Sequence, residues 1–161
     1  MLKELRIAGF KGWKDTKSIE LAQITVFFGS NSSGKSSIGQ FLVMLKQTIQ
    51  QPDRKTVLYL DGEKSSVSLG TPYDIFHKHD LESSIRFAYT WDLPGKFSLD
   101  EEMKKQILYN KICFAGVVNV ESKETQLLQA DRICYRLFDN EKIIADYAMI
   151  NSGKERVHEY E

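Results

Sequence analysis

The chain has 161 residues, enough for one domain with a real core; about 70% of the unfolded surface is buried at this size. Basic and acidic residues balance at 22 against 22, which excludes a global field that would steer a polyanion onto the protein but leaves room for a local basic patch. No stretch approaches the ~20 apolar residues of a membrane span and the N-terminus has no secretory apolar region, so no membrane partner is expected and the compartment read from the sequence is cytoplasmic.

The chain opens on a strand pattern at residues 2–10, where Leu5, Ile7 and Phe10 alternate with charges. Lys3, Arg6, Lys11, Lys14 and Lys17 outnumber Glu4 and Asp15 here, which reads as a solvated strand face. Gly9 and Gly12 punctuate a turn or bulge. A short strand is expected at 18–21, and a continuous apolar strand with both faces buried at 24–28.

That apolar run feeds Gly29-Ser30-Asn31-Ser32-Ser33-Gly34-Lys35-Ser36-Ser37, a G-x-x-x-x-G-K-S phosphate-binding loop between a strand pattern and a helix pattern. The glycines let the backbone turn tightly and approach a phosphate. Successive amides form an anion nest, and the helix N-terminus adds free donors and the positive end of its dipole. Lys35 is expected to reach the β- and γ-phosphates, and the Ser36 hydroxyl to ligate Mg²⁺. The ligands expected are therefore a nucleoside triphosphate and Mg²⁺, with residues Gly29 to Ser37 as the binding site and no catalytic residue assigned.

The helix begins near Gly34 or Lys35 and ends before Pro52, with a stripe at Ile38, Phe41, Leu42, Leu45 and Ile49. Val57-Leu58-Tyr59-Leu60-Asp61-Gly62 has two readings: a Mg²⁺-assisting strand ending in Asp61, or a hairpin turning at Asp-Gly and returning through Val67 and Leu69. The hairpin is the favoured one. Residues 69–80 form a loop with one helical turn at 74–77; His77 and His79 are metal ligands or, with no third ligand nearby, satisfied loop histidines. Cys113 and Cys134 sit in apolar runs and read as buried thiols.

From residue 83 the chain reads as strands at 84–91, 107–120, 126–138, 142–150 and from 155 onward. A break is expected at 93–100, a strand or helical turn at 101–106, and turns at Asp139-Asn140 and at Asn151-Ser152-Gly153-Lys154. Short turns between successive strands mean an antiparallel meander. The fold class expected is α/β leaning to mixed α+β: a P-loop NTPase lobe with one strong helix serving many strands.

The order of strands, phosphate loop, long helix and meander resembles the N-terminal lobe of an ABC-type ATPase head, as in SMC-like and OLD-nuclease-like AAA family proteins, including a bacterial, defence-associated subgroup. The resemblance is carried by Leu5-Arg6-Ile7-Ala8-Gly9-Phe10-Lys11-Gly12-Trp13, by the run from Ile24 to Ser37, and by Leu42-Val43-Met44-Leu45-Lys46-Gln47; residues 61–63 and 69–80 are similar by pattern. It implies ATP·Mg²⁺ bound between two heads, a homodimer, and hydrolysis that drives a DNA-linked or defence-linked effector, with nucleic acid or a nuclease as partner. It also implies that Phe10, Lys11 or Trp13 contacts the base or ribose, the alternative for Trp13 being a packed surface aromatic. The family's signature loop and Asp-Glu strand have no counterpart here, so residues 1–161 are expected to be an incomplete lobe, an ATPase only when completed. Gln106, Gln126 and Gln129 are open candidates for a lid glutamine. The competing readings are a nucleotide-binding regulatory module without hydrolysis, and a small-molecule kinase, which the hairpins disfavour.

Overall fold

A computed structural model describes residues 1–53, 55–100, 106–122, 124–151 and 156–160. The alternation at the start becomes β1 (Leu2–Phe10), whose Leu5 and Ile7 are buried while Glu4 and Arg6 are exposed. Gly9, at φ +74°, breaks the two-residue period, so Phe10 turns inward in its place. A Cβ at Gly9 would lie 2.1 Å from the carbonyl oxygen of Ser84, so only glycine permits this close approach.

Two short strands, β2 (Trp13–Asp15) and β3 (Ile19–Glu20), fold back antiparallel on β1. Then comes α1 (Lys35–Ile49), with the bounds that periodicity and Pro52 predict. After α2 (Pro72–Ile75) and a 3-10 turn at His77–His79 the meander begins: β4 (Ile85–Asp100), β5 (Gln106–Ser122), β6 (Leu127–Asp139), β7 (Lys142–Asn151) and β8 (Arg156–Tyr160). The sheet order is β2-β1-β4-β5-β6-β7-β8 with β3 also on β1, and every pairing is antiparallel. The described strands therefore give the α+β side of the expected fold class.

One face of this sheet receives α1. Ile38, Phe41 and Met44 pack on Leu5, Ile7, Phe10, Ile85, Phe87 and Val118. The Phe41 ring meets Phe10 edge-on at 5.1 Å and Phe87 at 5.3 Å. The core thus sits directly beneath the helix that the phosphate loop opens, and it fixes that helix against β1 and β4.

Several expectations are corrected. Residues 24–28 form no strand, and Ile24, Val26 and Phe28 are 84%, 61% and 89% exposed, because every described strand pairs elsewhere and none lies beside them. The break expected at 93–100 is a bulge instead: β4 runs through Pro94-Gly95 and resumes its register with β5 at Phe97. The turn expected at Asp139-Asn140 falls one residue later, on Asn140 and Glu141. Asn151, expected in the last turn, is the final residue of β7 instead, and the expectations for residues 101–105 and for Ser152-Gly153-Lys154 lie outside the described residues.

The hairpin at 57–69 keeps its turn but not its ladder. Asp61 accepts from the amide of Gly62 at 2.8 Å, Ser65 N–H donates to Gly62 at 3.0 Å, and Leu69 N–H donates across to Leu60 at 2.9 Å. What replaces the rest of the ladder is the buried side chain of Gln47 on α1. Its amide nitrogen donates to the carbonyls of Tyr59 and Val67, and its oxygen accepts from the amides of Ser66 and Val67. Thr48 adds an acceptor for Tyr59 N–H at 2.8 Å. Asp61 is therefore a turn residue, which removes it as a Mg²⁺-assisting aspartate.

Candidate functional site: the phosphate loop and its bracket

The loop runs from Gly29 to Gly34 and delivers the chain into α1. Ser30 to Ser33 close a tight turn, with Ser33 N–H donating to Ser30 at 3.3 Å and Ser32 left-handed at φ +63°. Gly34 caps the helix at φ +87°, where an L side chain is strained, and Ser37 N–H donates to its carbonyl at 3.1 Å. Among the described residues, the amides of Gly34, Lys35 and Ser36 donate to no protein acceptor, as expected of a helix start. The first turn holds no acidic side chain, so nothing within α1 neutralises the positive end of its dipole.

Lys35 folds back over the loop. Its ammonium donates to the carbonyls of Gly29 (2.9 Å) and Ser30 (2.6 Å) and to Ser33 Oγ (3.4 Å). A cation is thereby held against the hollow of the loop. Ser36 is exposed, and its hydroxyl has no hydrogen-bond partner among the described residues. The sequence-predicted site residues, Gly29 to Ser37, are thus brought together as one exposed loop and helix start.

The three residues expected near the base have different surroundings. Phe10 is fully buried in the core, which removes it as a nucleotide contact. Lys11, left-handed at φ +47°, donates its ammonium to Gln40 Oε1 on α1 at 3.0 Å and its amide to Ile75 at 2.7 Å. Burial pushes the Lys11 ammonium below the usual lysine range, against the opposing pull of Asp74. The indole N–H of Trp13 donates to the carbonyl of Gly34 at 2.9 Å, and a Cβ on Gly34 would lie 2.8 Å from that same nitrogen. Trp13 is thus a packed aromatic that brackets the loop at the residue where the helix starts.

The segment after α2 supports this bracket from behind. His77 Nδ1 lies 2.8 Å from the carbonyl of Lys11, and His79 Nδ1 lies 2.8 Å from that of Tyr73. Carbonyls only accept, so both imidazoles carry the proton on Nδ1. His79 also stacks on the Tyr73 ring at 4.3 Å. These are satisfied loop histidines, and no cluster of three metal-ligating side chains occurs among the described residues. The turn itself is held by Asp74, which accepts from the amide and hydroxyl of Thr71 at 2.8 Å each; those bonds hold its carboxyl below the usual range. A chain of direct contacts therefore links α2 and the histidine turn, through Lys11 and Trp13, to Gly34.

Gln126 lies in the β5–β6 turn at φ +52° and Gln129 on β6 opposite Asn119, three strands out from β1 or about 14 Å by strand spacing. Neither hydrogen-bonds to the loop. The side chain of Gln106 lies outside the described residues. Both cysteines are free, Cys134 buried and Cys113 half-buried. No described helix is long and apolar enough to cross a membrane.

The family model of the AAA ATPase domain matches residues 1–160. No curated protein matches the chain. A solved structure from work on ATP-driven dimerization and DNA-stimulated activation of SMC ATPases is similar over 84% of this chain and 68% of that chain, at 16% identity and a TM-score of 0.38. A likeness at that level says nothing of role.

Proposed function

The chain belongs to the AAA ATPase domain family, and on that footing we propose that Gly29 to Ser37 bind the phosphates of ATP·Mg²⁺ and that two copies of the completed protein hydrolyse it together. The observation that carries the reading is the free N-terminus of α1. Its amides lack protein acceptors, it has no acidic side chain in its first turn, and the Lys35 ammonium lies over the adjoining hollow. A phosphate offers these donors the charge-assisted bonds that neutral carbonyls give less strongly. Ser36, exposed and unbonded among the described residues, is the hydroxyl that would hold Mg²⁺, which when bound would offset the charge of the phosphates.

Hydrolysis asks for more than this loop supplies. Phosphoryl transfer to water needs a positioned water and a group to orient it. No acidic side chain hydrogen-bonds to the loop among the described residues, and the aspartate that sequence offered, Asp61, is held in a turn. We therefore assign the turnover machinery to residues outside this lobe and to the second head, and the output to a nucleic-acid-linked effector. The uncovered apolar run at Ile24, Val26 and Phe28 supports an incomplete lobe.

Calorimetric titration of ATP·Mg²⁺ into the chain and into Lys35→Ala tests the reading. Binding by the native chain and at least tenfold weaker binding by the variant are expected, with no phosphate release from either. Equal affinity in the two proteins would overturn it.

A further inference from the structure

The face of the sheet turned away from α1 carries a second feature, which the sequence reading did not contain. A cavity of about 290 Å³ opens there across β1, β4, β5 and β6. Arg6, Arg86, Arg132 and Arg136 line it, around Ala8, Ala88, Ala115 and Cys134. The chain has six arginines and sixteen lysines; four of the former line this cavity and none of the latter does. Arginine presents a planar fork that grips phosphate through two bonds, whereas lysine is a point charge.

Strand register builds the cluster. Arg86 and Arg132 both lie opposite Val117 on β5, so they flank one row from either side, about 10 Å apart by strand spacing. Arg136 is one turn of the pleat and more along β6, about 13 Å from Arg132. Asp15 holds Arg6 at 2.8 Å and Asp146 holds Arg136 at 2.7 Å, which fixes two of the forks. Arg86 and Arg132 are exposed and pair with no carboxylate among the described residues. Arg132 donates only to Cys134 Sγ, at 3.0 Å. Among the described residues the cavity therefore holds two cations without a carboxylate partner beside two oriented ones.

We propose that this arginine-lined face binds the phosphate backbone of duplex nucleic acid. Its span of about 10–13 Å is long enough to meet more than one phosphate of a strand whose charges rise about 3.4 Å apart along the helix axis. Stacking platforms are what single strands require, and the lining of this cavity offers none: its one aromatic residue, Phe87, turns its ring to the opposite side, against Phe41 and Phe114. The small floor residues let a backbone approach the arginine forks. This deepens the nucleic-acid part of the function proposed above and rests on it only there, since ATP is not needed for the contact.

The test is fluorescence anisotropy with labelled duplex DNA, titrated over a series of salt concentrations. The native chain is expected to bind, with affinity falling steeply as salt rises. Arg86→Ala/Arg132→Ala should bind at least tenfold more weakly at low salt, with a log–log salt slope shallower by about two. Lys35→Ala should bind DNA as the native chain does, which separates this result from failure of the ATP site. If the double alanine variant does not fold, the Arg86→Gln/Arg132→Gln protein is read in its place. An unchanged slope, no binding by the native chain, tighter binding of single strands, or equal binding of polyglutamate would each overturn the proposal.

Discussion

Trp13 is the residue through which the rest of the lobe touches the phosphate loop. One indole N–H reaches the carbonyl of Gly34, and the ring fills the space that any side chain at position 34 would need. Trp13→Phe keeps an aromatic ring and removes the donor. A neutral hydrogen bond is worth about 1 kcal/mol, so ATP·Mg²⁺ affinity should fall about fivefold by calorimetry, with little change in thermal stability. Unchanged affinity would mean that Gly34 holds its geometry unaided. The motif itself was legible because glycines, lysine and serine at fixed spacing act locally. The bracket was not, because a separation of 21 positions between Trp13 and Gly34 hides a contact that only packing makes.

Among the elements, α1 was the most legible, since its stripe, its glycine start and Pro52 all lie within the helix or beside it. The meander was legible for the same reason: alternation and short turns are local signals. The hairpin at 57–69 was half right, because the use of a buried amide leaves no trace in periodicity. Gln47 takes the part of a neighbouring strand for four backbone groups. Gln47→Leu leaves those part-buried groups without this partner, and should lower unfolding free energy by about 3 kcal/mol in urea denaturation. A loss under about 1 kcal/mol would show that water reaches the site. The arginine face escaped the sequence reading too, since β-pairing gathers residues 6, 86, 132 and 136 from three strands.

On the scale of the molecule, the misread strand is the informative one. Residues 24–28 look like a buried strand because their composition is that of one, and burial is a property of neighbours rather than of composition. Phe28 is 89% exposed and Phe41 is fully buried. Phe28→Ser should therefore change the stability of this chain by no more than about 0.5 kcal/mol, against about 3–5 kcal/mol for Phe41→Ala. Comparable losses in the two denaturation curves would mean that the run is packed after all. The pairing of β1 with β4 has a consequence of another kind. Every other neighbour pair in the meander is close in sequence, but these two are brought together across everything from Lys11 to Ser84. Closing a loop that long is entropically dearer than closing a hairpin, and non-local pairing is slow. The order of assembly follows: β4 to β7 zip up first, β1 docks last, and the loop from Gly29 to Gly34, which hangs between them, comes into being only at the final step of folding.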